Sequence, residues 1–242
     1  MKKAIVIGAS SGIGEAVARV LANNGYEVGL TARRFELLEK LQKEIPSRTY
    51  IRRMDVTRRE ETAATLEDLI KEMSGLDLIV LNAGINVSTP DLKHEKELET
   101  VDVNVSGFVL CADIALKYFT AQKSGHIVGI SSIAGLRGSA TCPAYSASKA
   151  FVSNYMEGLR HRVRSTDIYV TDIRPGFVDT EMIKGFRHLF WVAQPLGAAE
   201  QIFSAIKNKK KMAYITRRWN IMAWLLRWMP DWMYAQRYRE RI

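Results

Sequence analysis

A short apolar run over residues 3–7 stops at Gly8-Ala-Ser-Ser-Gly12-Ile-Gly14 and passes into a helical pattern through Leu21. Strand, glycine turn and helix in that order open a βαβ unit. The turn then lies at the strand's C-terminal end, and the helix N-terminus faces whatever binds there. Glycine removes the side chain where backbone must come close to an anion such as a pyrophosphate. Gly8, Ser10, Ser11, Gly12, Ile13 and Gly14 are therefore candidate contacts to a dinucleotide.

The rest of the chain continues the alternation. Strands are expected at residues 27–31, 49–54, 77–81, 126–130, 168–173 and 212–215, with helices over 58–73, 95–119, from Pro143 onward, and over 198–207. This pattern makes an α/β fold: a Rossmann-type, doubly wound parallel sheet of about seven strands with helices on both faces. No repeat or linker divides residues 1–215, which are read as one domain, with 216–242 as a separate helical tail. Strand ends on the ligand side carry further candidates. Arg33 and Arg34 follow the second strand, where a site selective for NAD would place an acid on the ribose hydroxyls. Guanidinium groups there suit a 2′-phosphate, which favours NADP over NAD. Asp55 and Val56 close the third strand in a position to contact adenine. Asn82-Ala83-Gly84 follows the fourth, where a small turn can lie over the cofactor ribose and an amide can tie adjacent strands. Asn104 and Gly107 fall mid-helix, where both are unfavourable by propensity, so a kink or a special role is expected there.

The chemistry concentrates between residues 130 and 151, around Tyr145-Ser-Ala-Ser-Lys149 with Ser132 thirteen residues upstream. With Pro143 opening a helix, Tyr145 and Lys149 share one face. A free tyrosine, with a pKa of ~10, is a poor match for acid–base work at neutral pH. An ammonium at ~4 Å and an effective dielectric of ~20 favours the phenolate by ~4 kcal/mol. That lowers the pKa by up to about three units before any desolvation penalty on the lysine. Tyr145 would then exchange a proton with a substrate oxygen held by the Ser132 hydroxyl. Taken alone, Tyr-x-x-x-Lys is also the spacing of an ordinary surface pair; the surrounding motifs favour the catalytic reading.

Gly8-x-x-x-Gly12-x-Gly14, Asn82-Ala-Gly84, Asn104, Ser132, Tyr145-x-x-x-Lys149 and Pro175-Gly176 stand in this order over residues 1–215. Together they resemble a short-chain dehydrogenase/reductase. The resemblance implies hydride transfer between a nicotinamide cofactor and a carbonyl or alcohol substrate. It makes Tyr145 the general acid/base, and has Lys149 lower the Tyr145 pKa and bond the nicotinamide ribose. Ser132 would orient the substrate oxygen, and Asn104 would hold a water linking Lys149 to bulk solvent. Pro175 and Gly176 would turn the chain on the ligand side, and Val178 and Thr180 would contact the carboxamide end of the cofactor. A homodimer or tetramer is implied as well. Many relatives end in an Asp-Gly-Gly turn that supports a tetramer contact. This chain instead has Tyr214-Ile-Thr-Arg-Arg-Trp, an ending more similar to the branch that reduces lipophilic ketones. Two other readings are a dinucleotide-binding regulator without turnover, and a relative acting on a small polar hydroxy compound.

Composition limits the alternatives. No run of about 18 uncharged apolar residues is present, and the N-terminal apolar run is too short for a signal sequence, so a cytoplasmic protein is expected. Cys111 and Cys142 have no ligand spacing, and neither a metal site nor a disulfide framework is expected. The net charge of +9 lies almost entirely in residues 207–242, which carry +8. Nucleic acid is a poor reading of that charge, since no nucleic-acid module accompanies it. Residues 219–229 form an apolar helix pattern interrupted by Asn220 and Arg227, Pro230 breaks it, and residues 231–241 form a second segment. Four of the five tryptophans lie between Trp219 and Trp232. This composition fits a helix at a membrane interface, giving peripheral contact through 216–242. It also fits docking on the domain, on a partner subunit, or over the active-site mouth, and wide apolar faces usually dock on protein. Aromatic residues between 181 and 194 suggest a mobile lid over an apolar substrate.

Overall fold

Ala4-Ile-Val-Ile7 is apolar at every position, the pattern of a strand covered on both faces. In the computed structural model, which describes residues 1–87, 92–185 and 189–236, it lies in β1 (Lys2–Ile7) at the centre of a parallel sheet. The other strands are β2 (Tyr26–Ala32), β3 (Thr49–Arg53), β4 (Leu78–Leu81), β5 (Ser124–Ile130), β6 (Asp167–Pro175) and β7 (Met212–Ile215). Their order is β3-β2-β1-β4-β5-β6-β7, seven strands in all, every pairing parallel. The chain reverses its direction of travel across the sheet between β1 and β4, and open sheets of this kind bind ligands at that point.

Alternation along the strands divides the core into two layers. Ala4, Val6, Leu78 and Val80 face one way, against α1 (Gly12–Asn23), α2 (Phe35–Glu44) and α7 (Pro195–Lys207). Ile5, Ile7, Ile79 and Leu81 face the other way, against α3 (Arg59–Glu72), α5 (Phe108–Gln122) and α6 (Pro143–Arg162). α4 (His94–Val101) runs on through a π-helical segment, Asp102–Gly107, into α5. The special position expected at Asn104 is that π segment. The composite helix His94–Gln122 is long and apolar enough to cross a membrane by length and composition. Its Phe108, Cys111, Ala112, Ala115 and Phe119 are buried in the second core layer, so it is a core helix. The tail forms α8 (Trp219–Trp228) and, beyond Pro230, α9 (Asp231–Gln236). Residues 237–241 of the expected second segment lie outside the described residues, as do 186–188 of the expected lid.

His126, buried on β5, shares a 2.8 Å hydrogen bond with Thr171 on β6. Burial, aided by the Lys209 charge, lowers its pKa to about 4. The unfolded chain therefore binds the extra proton between about pH 6.5 and 4 while the folded chain does not, and stability falls as pH falls through that window. The expected loss from this group is about 3 kcal/mol. Denaturant unfolding at pH 7 and pH 4.5 should show a smaller acid loss in His126→Gln than in the wild type; equal losses would exclude the assignment.

Candidate active site

The glycine turn is held by backbone and by one amide. Gly8 has a φ of +80°, and its N–H donates to the Thr31 carbonyl at 2.8 Å. A Cβ on Gly8 would stand 2.8 Å from the Ala83 backbone, so the ends of β1 and β4 meet only because this position is glycine. The Asn82 side chain donates to the Gly8 carbonyl at 2.8 Å and ties the two strands, as its position suggested. Gly14 is buried behind the turn, where a methyl group would collide with the Gly8 carbonyl and the Asn82 amide. The Arg34 guanidinium lies across the turn and donates to the Ser10 and Ser11 hydroxyls at 3.1 and 2.6 Å.

These groups line a cleft of about 510 Å³ at the switch between β1 and β4. Gly8, Ser10, Ser11, Gly12, Ile13, Arg33, Arg34, Asp55, Val56, Asn82, Ala83, Gly84 and Thr180 all border it. Gly14, Tyr145, Lys149, Pro175, Gly176 and Val178, also expected as cofactor contacts, do not border the cleft; Tyr145 and Lys149 lie next to its lining residues Met182 and Gly84. Pro175 and Val178 are buried, and the space a Gly176 Cβ would need is filled by the Trp219 indole. Sequence reasoning missed Thr31 and Asn86, which line the cleft and hold buried oxygens, Oγ1 and Oδ1, without a partner among the described residues.

The residues expected to be catalytic, Asn104, Ser132, Tyr145 and Lys149, are positioned by α6, α4, the end of β5, the turn after Ser132 and the π segment. Pro143 stands at the first turn of α6, and the Ala144 N–H is capped by the Glu97 carboxylate of α4 at 3.0 Å. Tyr145 and Lys149 then lie one turn apart. The Lys149 ammonium, 5% exposed, donates to the carbonyl of Ile130 at the end of β5 (2.9 Å) and lies 5.8 Å from the Tyr145 ring centre. Ser132 begins the turn Ile133–Leu136, where its hydroxyl accepts the Ala134 N–H at 3.1 Å. Gly135 of that turn presses on α6, since a Cβ there would stand 2.6 Å from the Ala150 nitrogen, and this sets Ser132 beside Tyr145. Asn104, 1% exposed, grips both backbone groups of Ile85: its Oδ1 accepts the N–H at 2.8 Å and its Nδ2 donates to the carbonyl at 2.9 Å. The same Nδ2 donates to the Ser148 hydroxyl at 3.0 Å. The π segment thus joins the β4 loop to α6.

The electrostatics differ from the charge-only expectation for Tyr145. Burial is the largest effect and pushes the phenol up to about 12, with the Ser132 hydrogen bond opposing it and Cys142 adding to it. Burial also lowers Lys149 to about 8, against the pull of Asp172. The ammonium is engaged by the Ile130 carbonyl, and the effect that opposes burial of the phenol is the Ser132 hydrogen bond. Asp172 on β6 was not singled out from the sequence. It is 1% exposed, accepts from the Ser131 hydroxyl, and pairs with Arg174 at 2.6 Å.

Residues 2–189 match the short chain dehydrogenase family. The chain belongs to that family. An uncharacterized oxidoreductase of Myxococcus xanthus is 40% identical over 186 residues, covering 75% of this chain and 74% of its own. Among solved structures, a serine dehydrogenase complexed with NADP+ superposes with a TM-score of 0.78 at 29% identity, covering 84% of this chain and 88% of its own. An alcohol dehydrogenase from the archaeon Thermococcus sibiricus, complexed with 5-hydroxy-NADP, gives 0.79 at 25% identity, over 88% and 95% of the two chains. As a short-chain dehydrogenase the protein is an oxidoreductase, and the family uses a nicotinamide cofactor. The cleft fits such a group. Its floor is side-chain-free backbone at Gly8 and Gly12, and it offers the unpartnered Thr31 and Asn86 oxygens and the Arg33 and Arg34 cations. Gly14→Ala should destabilise the fold by about 1–3 kcal/mol through overpacking and weaken NADPH binding. Thermal unfolding and ligand titration check this; an unchanged protein would show that the turn has room to relax.

Proposed function

We propose that the protein is an NADPH-dependent reductase of apolar carbonyl compounds, with Tyr145 as the proton donor. The observation that carries the reading is the meeting of Tyr145, Ser132 and Lys149 beside a cleft whose far end bears Arg33 and Arg34. No acid follows β2 before Glu36. The two solved relatives bound to NADP-type molecules support the cofactor choice.

A bound nicotinamide cofactor supplies the hydride. The chain's own residues manage the substrate oxygen and its proton. Ser132 has a hydroxyl free to turn from the Pro175 carbonyl, 3.4 Å away, toward a substrate oxygen. Tyr145, with its pKa near 12, is protonated at neutral pH, the form that donates to the oxygen of a carbonyl undergoing reduction. Lys149 supplies positive charge next to the phenol and favours the phenolate left after donation. The Met182 sulfur lies 3.8 Å from the Tyr145 hydroxyl. Phe177, Phe190 and Trp191 pack around Trp219 with ring centres 5.3–5.7 Å from it. The Met182 contact, and this aromatic cluster packed on the Ser132 turn through Ile133 and Leu136, support an apolar substrate.

We take the compartment to be cytoplasmic, a reading supported by two buried free thiols, Cys111 and Cys142. A homodimer or tetramer is the proposed assembly. The exposed Phe151 on α6, stacked 5.6 Å from Tyr155, supports a contact through that helix.

Tyr145→Phe should lower turnover by about a thousandfold or more while leaving NADPH affinity near the wild-type value. Arg34→Ala should weaken NADPH by about tenfold and leave NADH unchanged. Turnover retained in Tyr145→Phe would overturn the assignment of the proton donor, and equal losses for both cofactors would overturn the choice of NADPH.

A further inference from the structure

Helix α8 is apolar on two opposite faces, and the protein covers only one of them. Trp219, 2% exposed, and Ala223 pack with Met222 and Leu226 on Ile133, Leu136, Phe177, Trp191 and Tyr214. At about 100° per residue, Ile221, Trp224, Leu225 and Trp228 form a stripe on the far side. Trp224 is 62% and Trp228 76% exposed. Trp232 and Met233 of α9 extend the bare apolar surface.

Charge distinguishes this surface from an ordinary oligomer contact. Exposed Arg217 and Arg218 stand before the helix and Arg227 lies within it, flanking the apolar stripe. Arg217 and Arg227 make no ion pair among the described residues. The only acid between residues 216 and 236, Asp231, is held by Arg137 at 3.0 Å. Tryptophans around an apolar stripe with unneutralised arginines at its margin match the interfacial zone of an anionic bilayer.

The surface is also fixed relative to the catalytic loop. Arg137 lies just beyond the turn that Ser132 begins. It donates to the Leu226 and Met229 carbonyls at 3.2 and 2.7 Å, and its guanidinium stands 4.6 Å from the Tyr234 ring centre. We propose that the outer face of α8 and α9 docks the protein on the surface of an anionic lipid bilayer. Arg137 and Trp219 couple the docked helix to the loop that carries Ser132.

Flotation of the full chain with vesicles tests this without any turnover, so its failure is separable from failure of the proposed reductase activity. Vesicles of phosphatidylcholine alone are compared with equimolar phosphatidylcholine and phosphatidylglycerol. Binding is expected to the second kind only, weakening with salt. The Trp224→Ser/Trp228→Ser and Arg217→Glu/Arg227→Glu variants should each bind at least about tenfold more weakly, with wild-type melting temperatures because these side chains face away from the core. No binding to anionic vesicles at low salt would overturn the proposal, as would wild-type affinity in either variant. A wild-type dimer that becomes a monomer in the tryptophan variant, with no vesicle binding, would also overturn it and assign the face to a second copy of the chain.

Discussion

The site depends on one buried cation. Lys149 lies inside the protein with its ammonium on the Ile130 carbonyl, where β5 ends and the segment bearing Ser132 begins. Placing a charge there requires compensation from groups that are themselves fixed, because an unpaired buried charge is costly. Asp172 supplies the opposite charge from β6 and is held by Ser131 and Arg174. Asn104 uses its amide to join the β4 loop to α6 at Ser148. Gly84 leaves the space this requires, since a Cβ there would stand 3.2 Å from the Asn104 oxygen and 3.3 Å from the lysine nitrogen. A π segment in an otherwise α-helical run aims Asn104 at this point, and such irregularities gather at functional sites.

Two opposing effects set the proton chemistry. Coulomb attraction between Lys149 and a phenolate favours ionisation, while removal of water disfavours both charged forms. In this protein desolvation dominates, opposed at Tyr145 by the Ser132 hydrogen bond and at Lys149 by the Asp172 charge, and it leaves Tyr145 at about 12 and Lys149 at about 8. In the proposed reaction, a phenol held protonated beside a lysine with a pKa of about 8 delivers its proton to a carbonyl, with a neighbouring group able to replace it. The small turn at Ser132 is pressed on α6 through Gly135.

The fold was legible because burial on both faces leaves a simple record. Residues 4–7, 78–81 and 127–130 are short, mostly apolar runs between helical segments, and parallel sheets require that pattern. The cleft residues were legible where the backbone has no alternative to glycine, as at Gly8, or where charge replaces an expected acid, as at Arg34. Roles that depend on distant packing were not legible. Gly176 was read as a turn on the ligand side, and nothing in the sequence signals that it also makes room for Trp219, more than forty residues later in the chain. Asp172 sits in an unremarkable strand, and its importance comes from facing a lysine on another element. The direction of the Tyr145 shift also escaped sequence reasoning, since four-residue spacing reports the nearby charge but not the missing water.

The tail packs on the turn that Ser132 begins, through Trp219 and Ala223 against Ile133 and Leu136. Its inner face closes an aromatic cluster beside the Ser132 turn, and its outer face leaves an apolar surface exposed. Both properties support the proposed chemistry on poorly soluble carbonyl compounds. The most direct measurement is initial-rate oxidation of NADPH and NADH over ketones graded from small polar to long-chain and polycyclic. The account predicts turnover that rises with substrate apolarity and runs faster with NADPH. Tight NADPH binding with no turnover on any of these ketones would contradict it, as would activity confined to the small polar ones.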